Sequence, residues 1–248
     1  MSGHSKWANI KHKKEKTDAQ KGKVFTKIGR EISICVRQGG PDPASNSKLA
    51  DVIAKAKANN MPNDNIQRAI KRAAGESDDS VYEEITYEGY GPGGMAVILE
   101  IITNNRNRIA SEIRHIFDKA GGSMGATGCV SWMFDKKGVL VIERTPDIDE
   151  DTLMMQALDA GASDFQPGED VFEVICEPAD FSQVRKSLED AGYSFVEAEI
   201  DRIPSNTVDV SEDNLKKVNW MLENFEDNDD VQNVFHNGNL PQTDDDED

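Results

Sequence analysis

Between Gly138 and Ile203 the hydrophobic pattern changes period four times, in an order that few folds accept. "GVLVIE" (138–143) is a short apolar run rich in β-branched residues and reads as a strand. "DEDTLMMQALDAG" (149–161) opens on carboxylates, stops on glycine and reads as a helix. "SDFQPGEDVFEVIC" (163–176) holds two strands around a Pro-Gly turn, "DFSQVRKSLEDAG" (180–192) is a second helix, and "SFVEAEIDRI" (194–203) is a last strand. The resulting order, βαββαβ, is that of a split-βαβ or ferredoxin-like unit.

The flanks carry a second α+β pattern that this unit interrupts. "VYEEITYEGYGPGGMAVILEIITNN" reads as two strands around a Gly-Pro-Gly-Gly turn. A glycine-rich phosphate loop needs a helix after it, and here a strand follows, so a hairpin is the expectation. "RNRIASEIRHIFDKAGG" is a helix with Ile109, Ile113, Ile116, Phe117 and Ala120 inward, and "CVSWMF" (129–134) is expected to be strand. Beyond Pro204 an amphipathic helix presents Leu215, Val218, Met221, Leu222 and Phe225, and a short strand follows near Val231 to Phe235. If that helix and strand return to the first hairpin, a domain made of 81–136 plus 205–237 has the ferredoxin-like domain 137–204 inserted into it. A chain of 248 residues suggests one to three domains, on the prior of length divided by about 150.

The first 76 residues read as a separate helical domain. A helix capped by Thr17 or Asp18 runs to Gly39-Gly40 with Val24, Phe25, Ile28, Ile32, Cys35 and Val36 at helical spacing. "SNSKLADVIAKAKANN" and "MPNDNIQRAIKRAAG" supply two more helices, the latter with Pro62 at its first turn, giving a three-helix bundle. The short link between them has the length used in a helix-turn-helix, but plain helical hairpins share it. The fold class is therefore α+β: a three-helix bundle followed by two α+β domains, the third inserted into the second.

Charge separates the bundle from the rest. Residues 1–75 hold 16 Lys+Arg against six Asp+Glu, a net of +10; the other residues hold 12 against 40, a net of −28. At physiological salt the Debye length is about 8 Å, so a local basic patch binds phosphate while the acidic part lies farther off. The candidate contacts are His4, Lys6, Trp7, Lys11, His12, Lys13, Lys14, Lys16 and Lys21 in the arm, with Lys23, Lys27, Arg30 and Arg37 on the face of the first helix opposite its apolar stripe. Arg68, Lys71 and Arg72 extend the set to the third helix, where Asn63 and Gln67 are further base-reading candidates. Trp7 either anchors the arm on the bundle or stacks on an exposed base. Arg106, Arg108 and Arg114 form a smaller, secondary basic spot. The segment 238–248, "GNLPQTDDDED", is expected to be a disordered acidic tail, with competition for the basic patch as the sharper alternative.

Several classes are excluded by what the sequence lacks. Its four histidines form no HExxH or other ligand pair, and no GxSxG, Walker lysine loop or Cys-His arrangement occurs, so no metal site, no cofactor, no small-molecule substrate and no enzymatic activity are expected. Cys35, Cys129 and Cys176 make neither a CxxC pair nor a disulfide set and read as buried thiols in a reducing cytoplasm. No apolar run approaches the roughly 18 residues of a spanning helix, and nothing apolar follows the charged start, so neither a membrane nor a signal peptide is expected.

Six stretches, taken in order, carry a resemblance: "GHSKWANIKHKK", "KGKVFTKIGREI", "NNMPNDNIQRAI", "YEGYGPGG", "NRNR" and "DDVQNVFHN". With them the chain resembles the YebC/PmpR family over nearly its whole length. The resemblance implies a helical domain, two α+β domains, a cytoplasmic location and no enzymatic activity. It implies a DNA-binding transcriptional regulator, or alternatively a translation factor that binds ribosomal RNA and the ribosome and eases synthesis of proline-rich stretches. The acidic tail beyond Asn237 departs from the family's core pattern. A protein-interaction scaffold is a third reading, because ferredoxin-like sheets often pair with partners.

Overall fold

The computed structural model of the chain describes residues 18–75 and 81–240. These form an α+β fold of two compact units: residues before 80 together with Lys136–Arg202, and those from Ser80 to Asp135 together with those from Ile203 onward.

In the first unit, α1 (Asp18–Gly39), α2 (Ser47–Ala58) and α3 (Asn63–Ala74) make the three-helix bundle. Their apolar stripes meet in one core: Ile28, Ile32 and Val36 of α1, Leu49 and Ala56 of α2, and Ile66, Ile70 and Ala73 of α3, closed by Met61. Asn46 ties α1 to α2. Its Oδ1 accepts from Leu49 N at 3.1 Å as the helix cap, while Nδ2 donates to Cys35 O at 2.8 Å and Gly40 O at 2.9 Å.

The same unit contains the ferredoxin-like βαββαβ. Its elements are β4 (Phe134–Glu143), α5 (Glu150–Ala160), β5 (Asp164–Pro167), β6 (Val171–Cys176), α6 (Phe181–Asp190) and β7 (Glu197–Pro204). The sheet order is β5-β6-β4-β7, with β6 antiparallel to both its neighbours. Leu140, Ile142, Phe172, Val174 and Cys176 on one face receive Leu153 and Ala157 of α5 and Phe181, Val184 and Leu188 of α6. Asp149 caps α5 by accepting from Thr152 N at 2.9 Å. The helical bundle is fastened to this region by charge. Arg185 of α6, buried, donates from Nε to Asp51 Oδ1 of α2 at 2.8 Å, and the Ser182 hydroxyl donates to the same carboxylate.

The second unit is a four-stranded antiparallel sheet of order β3-β1-β2-β9: β1 (Glu83–Tyr90), β2 (Ala96–Thr103), β3 (Ser123–Met124) and β9 (Val231–His236). The helices α4 (Arg106–Ala120) and α7 (Glu212–Asp227) cover one face, with Phe117 and Phe225 in ring contact at 5.0 Å between centroids. β9 pairs with β2 in the register Leu99↔Val234, so the strand at 231–236 returns to the first hairpin. A parallel pair, β8 (Val208–Asp209) and β10 (Gly238–Asn239), closes the end. The Gly-Pro-Gly-Gly segment is the hairpin turn expected from its flanking strands, a short 3₁₀ turn at Pro92–Gly94 with φ of +75° at Gly93 and +80° at Gly94.

The segment "CVSWMF" is not a strand. Residues Ser131–Met133 form a 3₁₀ turn and β4 begins only at Phe134. The reason is Glu88 in β1. Its carboxylate, 3% exposed, accepts from Gly128 N at 2.7 Å, Val130 N at 2.9 Å and Ser131 N at 2.8 Å. Backbone donors given to a buried carboxylate are not available to a strand ladder. The loop so held lays Val130 against Ala96, Ile98 and Phe235, covering the face of the sheet opposite the helices.

Candidate nucleic-acid interface

The expected contacts His4, Lys6, Trp7, Lys11, His12, Lys13, Lys14 and Lys16 lie outside the described residues. Of the remainder, α3 presents the most compact group. Its apolar residues Ile66, Ile70 and Ala73 face the bundle core, and the spacing that buries them turns Asn63, Gln67, Arg68, Lys71 and Arg72 outward, all exposed. Arg68, Lys71 and Arg72 stand at i, i+3 and i+4, and Asn63, Gln67 and Lys71 follow one another at i+4, so cations and amides share one helix face.

The expectation for α1 needs correction. Lys21 and Arg37 are exposed, but Lys23, Lys27 and Arg30 are half-buried. Ile34, seven residues after Lys27, four after Arg30 and three before Arg37, is buried among them at 6% exposure. This face is therefore packed at its centre and does not present an open line of cations.

Ion pairs engage two of the bundle's carboxylates. Glu31 accepts from Lys55 Nζ at 2.8 and 3.1 Å, and Asp51 is engaged by Arg185 and Ser182. Burial works against the Lys55 charge, but Glu31, with Glu199 and Glu197 behind it, outweighs that and holds the ammonium above its usual pKa. Of the six carboxylates in residues 1–75, Glu31 is thus matched by a lysine of the bundle itself and Asp51 by Arg185 outside it. Cations also end each helix, Arg37 in α1, Lys55 and Lys57 in α2, and Lys71 and Arg72 in α3, where each offsets the helix dipole by about 0.3–1 kcal/mol.

The secondary basic spot is largely neutralised. Arg108 donates from its guanidinium to Asp230, which is 2% exposed, and to Glu112 at 3.3 Å; Asp230 also accepts from the Thr103 hydroxyl at 2.7 Å. Arg106 pairs with Glu83 at 3.4 Å, and Arg114 is exposed. Arg108 is a structural lock, joining "NRNR" at the start of α4 to "DDVQNVFHN" at β9. Asn237 of the same stretch accepts from Ala96 N at 2.8 Å.

Two residues of the second unit were not singled out from the sequence. One is Glu88. Burial alone would raise its pKa, but the Val130, Gly128 and Ser131 N–H groups more than compensate and hold it below the ordinary carboxylate value. The other is Trp132, whose side chain is 73% exposed. A sequence signal for Trp132 exists: residues 121–133 contain no Asp, Glu, Lys or Arg, although 30% of the chain is charged. Cys176 is buried, with its thiol pushed up to about 11, and is an inert core group. Among the described residues no cluster of His, Cys, Asp or Glu has the makings of a metal site, and no helix is long and apolar enough to cross a membrane.

The sequence pattern of the TACO1/YebC second and third domain matches residues 82–238, and that of the TACO1/YebC protein N-terminal domain matches residues 5–76. The chain belongs to the TACO1/YebC family. A TACO1/YebC relative from Acetivibrio thermocellus, named a "probable transcriptional regulatory protein", is 63% identical over 96% of this chain and 98% of its own length. One of the same name from Caldicellulosiruptor saccharolyticus is 62% identical over 96% of this chain and 98% of its own. The crystal structure of a conserved hypothetical protein from Aquifex aeolicus matches with a TM-score of 0.82 and 42% identity, over 94% of this chain and 96% of the other. The residues that fix the fold here, Glu88, Arg108, Asp230 and Asn237, all lie in the stretch matched to the second and third TACO1/YebC domains.

Proposed function

We propose that this TACO1/YebC protein is a nucleic-acid-binding regulator of gene expression that works in the cytoplasm without enzymatic activity, and that its helical N-terminal domain with the lysine-rich arm is the binding surface. The observation that carries this is the division of charge, +10 in residues 1–75 against −28 in the rest, together with the exposed Arg68, Lys71 and Arg72 beside Asn63 and Gln67. The relatives' name, "probable transcriptional regulatory protein", favours a transcriptional regulator, for which duplex DNA is the natural target. A second reading, a ribosome-associated translation factor on RNA, is favoured by the shortage of base-reading groups: α3 presents two amides and three cations, enough to hold phosphates but a small set for reading a site. The test is the affinity of the full chain for duplex DNA and for unpaired RNA across a salt series. Nucleic-acid binding through phosphates predicts a linear fall of log affinity with log salt, by about 0.9 per contact on duplex DNA and about 0.7 on single strands. A salt-independent interaction, or none, would sink the proposal. Crosslinking in cells with sequencing of bound DNA and RNA separates the two readings.

A further inference from the structure

The loop that Glu88 holds carries a feature that the basic domain does not explain. Trp132 is the most exposed of the chain's large apolar side chains among the described residues, at 73%. It is nonetheless fixed: Nε1 donates to Cys129 O at 3.1 Å. The Tyr90 hydroxyl, from the end of β1, donates to that same oxygen, also at 3.1 Å, and Tyr90 is itself exposed at 37%. Two aromatic rings are thus pinned by their polar edges to one carbonyl, and that carbonyl sits in a loop whose backbone is gripped at three N–H groups by a buried carboxylate.

An indole bonded at its edge leaves its π-faces open. The exposed residues that precede it in the loop, Gly125, Ala126, Thr127 and Gly128, are small and uncharged. Protein hot spots are ringed by further contacts that exclude water; a rim of glycine and alanine supplies little of that kind. What this surface suits is one flat ring approaching a fixed aromatic face, with small neighbours that let a backbone come close. Residues 121–133 carry no carboxylate of their own, and the Glu88 carboxylate beneath them is buried and met by three N–H donors, so the loop itself adds little repulsion toward a polyanion.

We infer that the 125–132 loop is a second nucleic-acid contact, at which Trp132 stacks on an unpaired base. This rests on the nucleic-acid-binding reading above and adds to it a preference for unpaired strands, since bases within a duplex present only their edges. The edge bond to Cys129 O already restrains the side chain before binding, which lowers the ordering cost of a stack.

The experiment compares the full chain with Trp132→Ala and Trp132→Phe, measuring affinity for a short RNA without internal pairing and for duplex DNA. Because the side chain is exposed, both variants keep the core intact. Trp132→Ala is expected to weaken RNA binding roughly five- to 150-fold, the range of one base-on-aromatic stack, with duplex binding unchanged and Trp132→Phe restoring most of the loss. Equal losses on both nucleic acids, or RNA binding undiminished in Trp132→Ala, would overturn the inference while leaving the proposed function standing. A full chain that binds neither nucleic acid sinks both. Undiminished RNA binding with lost co-sedimentation with ribosomes would assign the loop to a protein partner, again against the inference.

Discussion

Glu88 shows how a single side chain shapes a loop. A carboxylate at 3% exposure survives burial only when its charge is met by donors, and three backbone N–H groups supply them. Glu88→Gln keeps the size but turns an NH₂ group toward those N–H donors. It should cost about 2–3 kcal/mol in urea unfolding, by loss of charge-assisted bonds. The pH dependence follows from the sign of the shift. The folded-state pKa is depressed, so the stabilisation is complete above the ordinary carboxylate pKa and is lost as pH falls from there through the folded value. The stability of the wild type towards unfolding should therefore fall on acidification below about pH 4.5 more than that of Glu88→Gln. Arg108 makes the complementary case. Arg108→Ala removes the charged partner of the buried Asp230 and should destabilise by about 1–3 kcal/mol, measured the same way, less than a fully buried pair because Arg108 is partly exposed and Thr103 still donates to Asp230.

At the scale of elements, α3 separates packing from binding, because the residues that hold it in place and those that face outward do not overlap. Replacing Arg68, Lys71 and Arg72 by Ala keeps a strong helix former at each position. Stability should fall by no more than about 2 kcal/mol, from lost dipole compensation, while the salt slope of DNA binding should flatten by nearly three contacts' worth. A slope that does not change would remove α3 from the interface. Helices such as α1, α3, α4 and α7 are legible in the sequence because each buries one stripe, and the 3.6-residue period records it. The ferredoxin-like order was legible because β4 and β6 are nearly continuous apolar runs between capped helices. The segment around Val130 and Trp132 was not, since an apolar run of that length also fits a strand and the carboxylate that claims its backbone lies 40 residues earlier. Ile34 escaped for another reason. The period that marks one face of α1 gives no sign that a second face is covered too.

At the scale of the molecule, contacts far apart in sequence hold each unit together. Asp51 and Arg185 lie 134 residues apart and join the bundle to the ferredoxin-like region. Asp51→Ala leaves a buried guanidinium without that carboxylate and should cost about 3 kcal/mol or more, with a double-mutant cycle against Arg185 giving a coupling well above that of a surface pair. The second unit depends on a longer reach still. β2, "AVILEIIT", is buried on both faces and needs β9 along one edge, and β9 begins at Val231. At a synthesis rate of about 5–20 residues per second, that edge waits roughly 6–25 s for its partner to leave the ribosome. Through that interval the nascent chain carries an open, greasy strand of the kind that recruits other chains. Slowing elongation between the two strands should therefore raise the insoluble share of newly made copies.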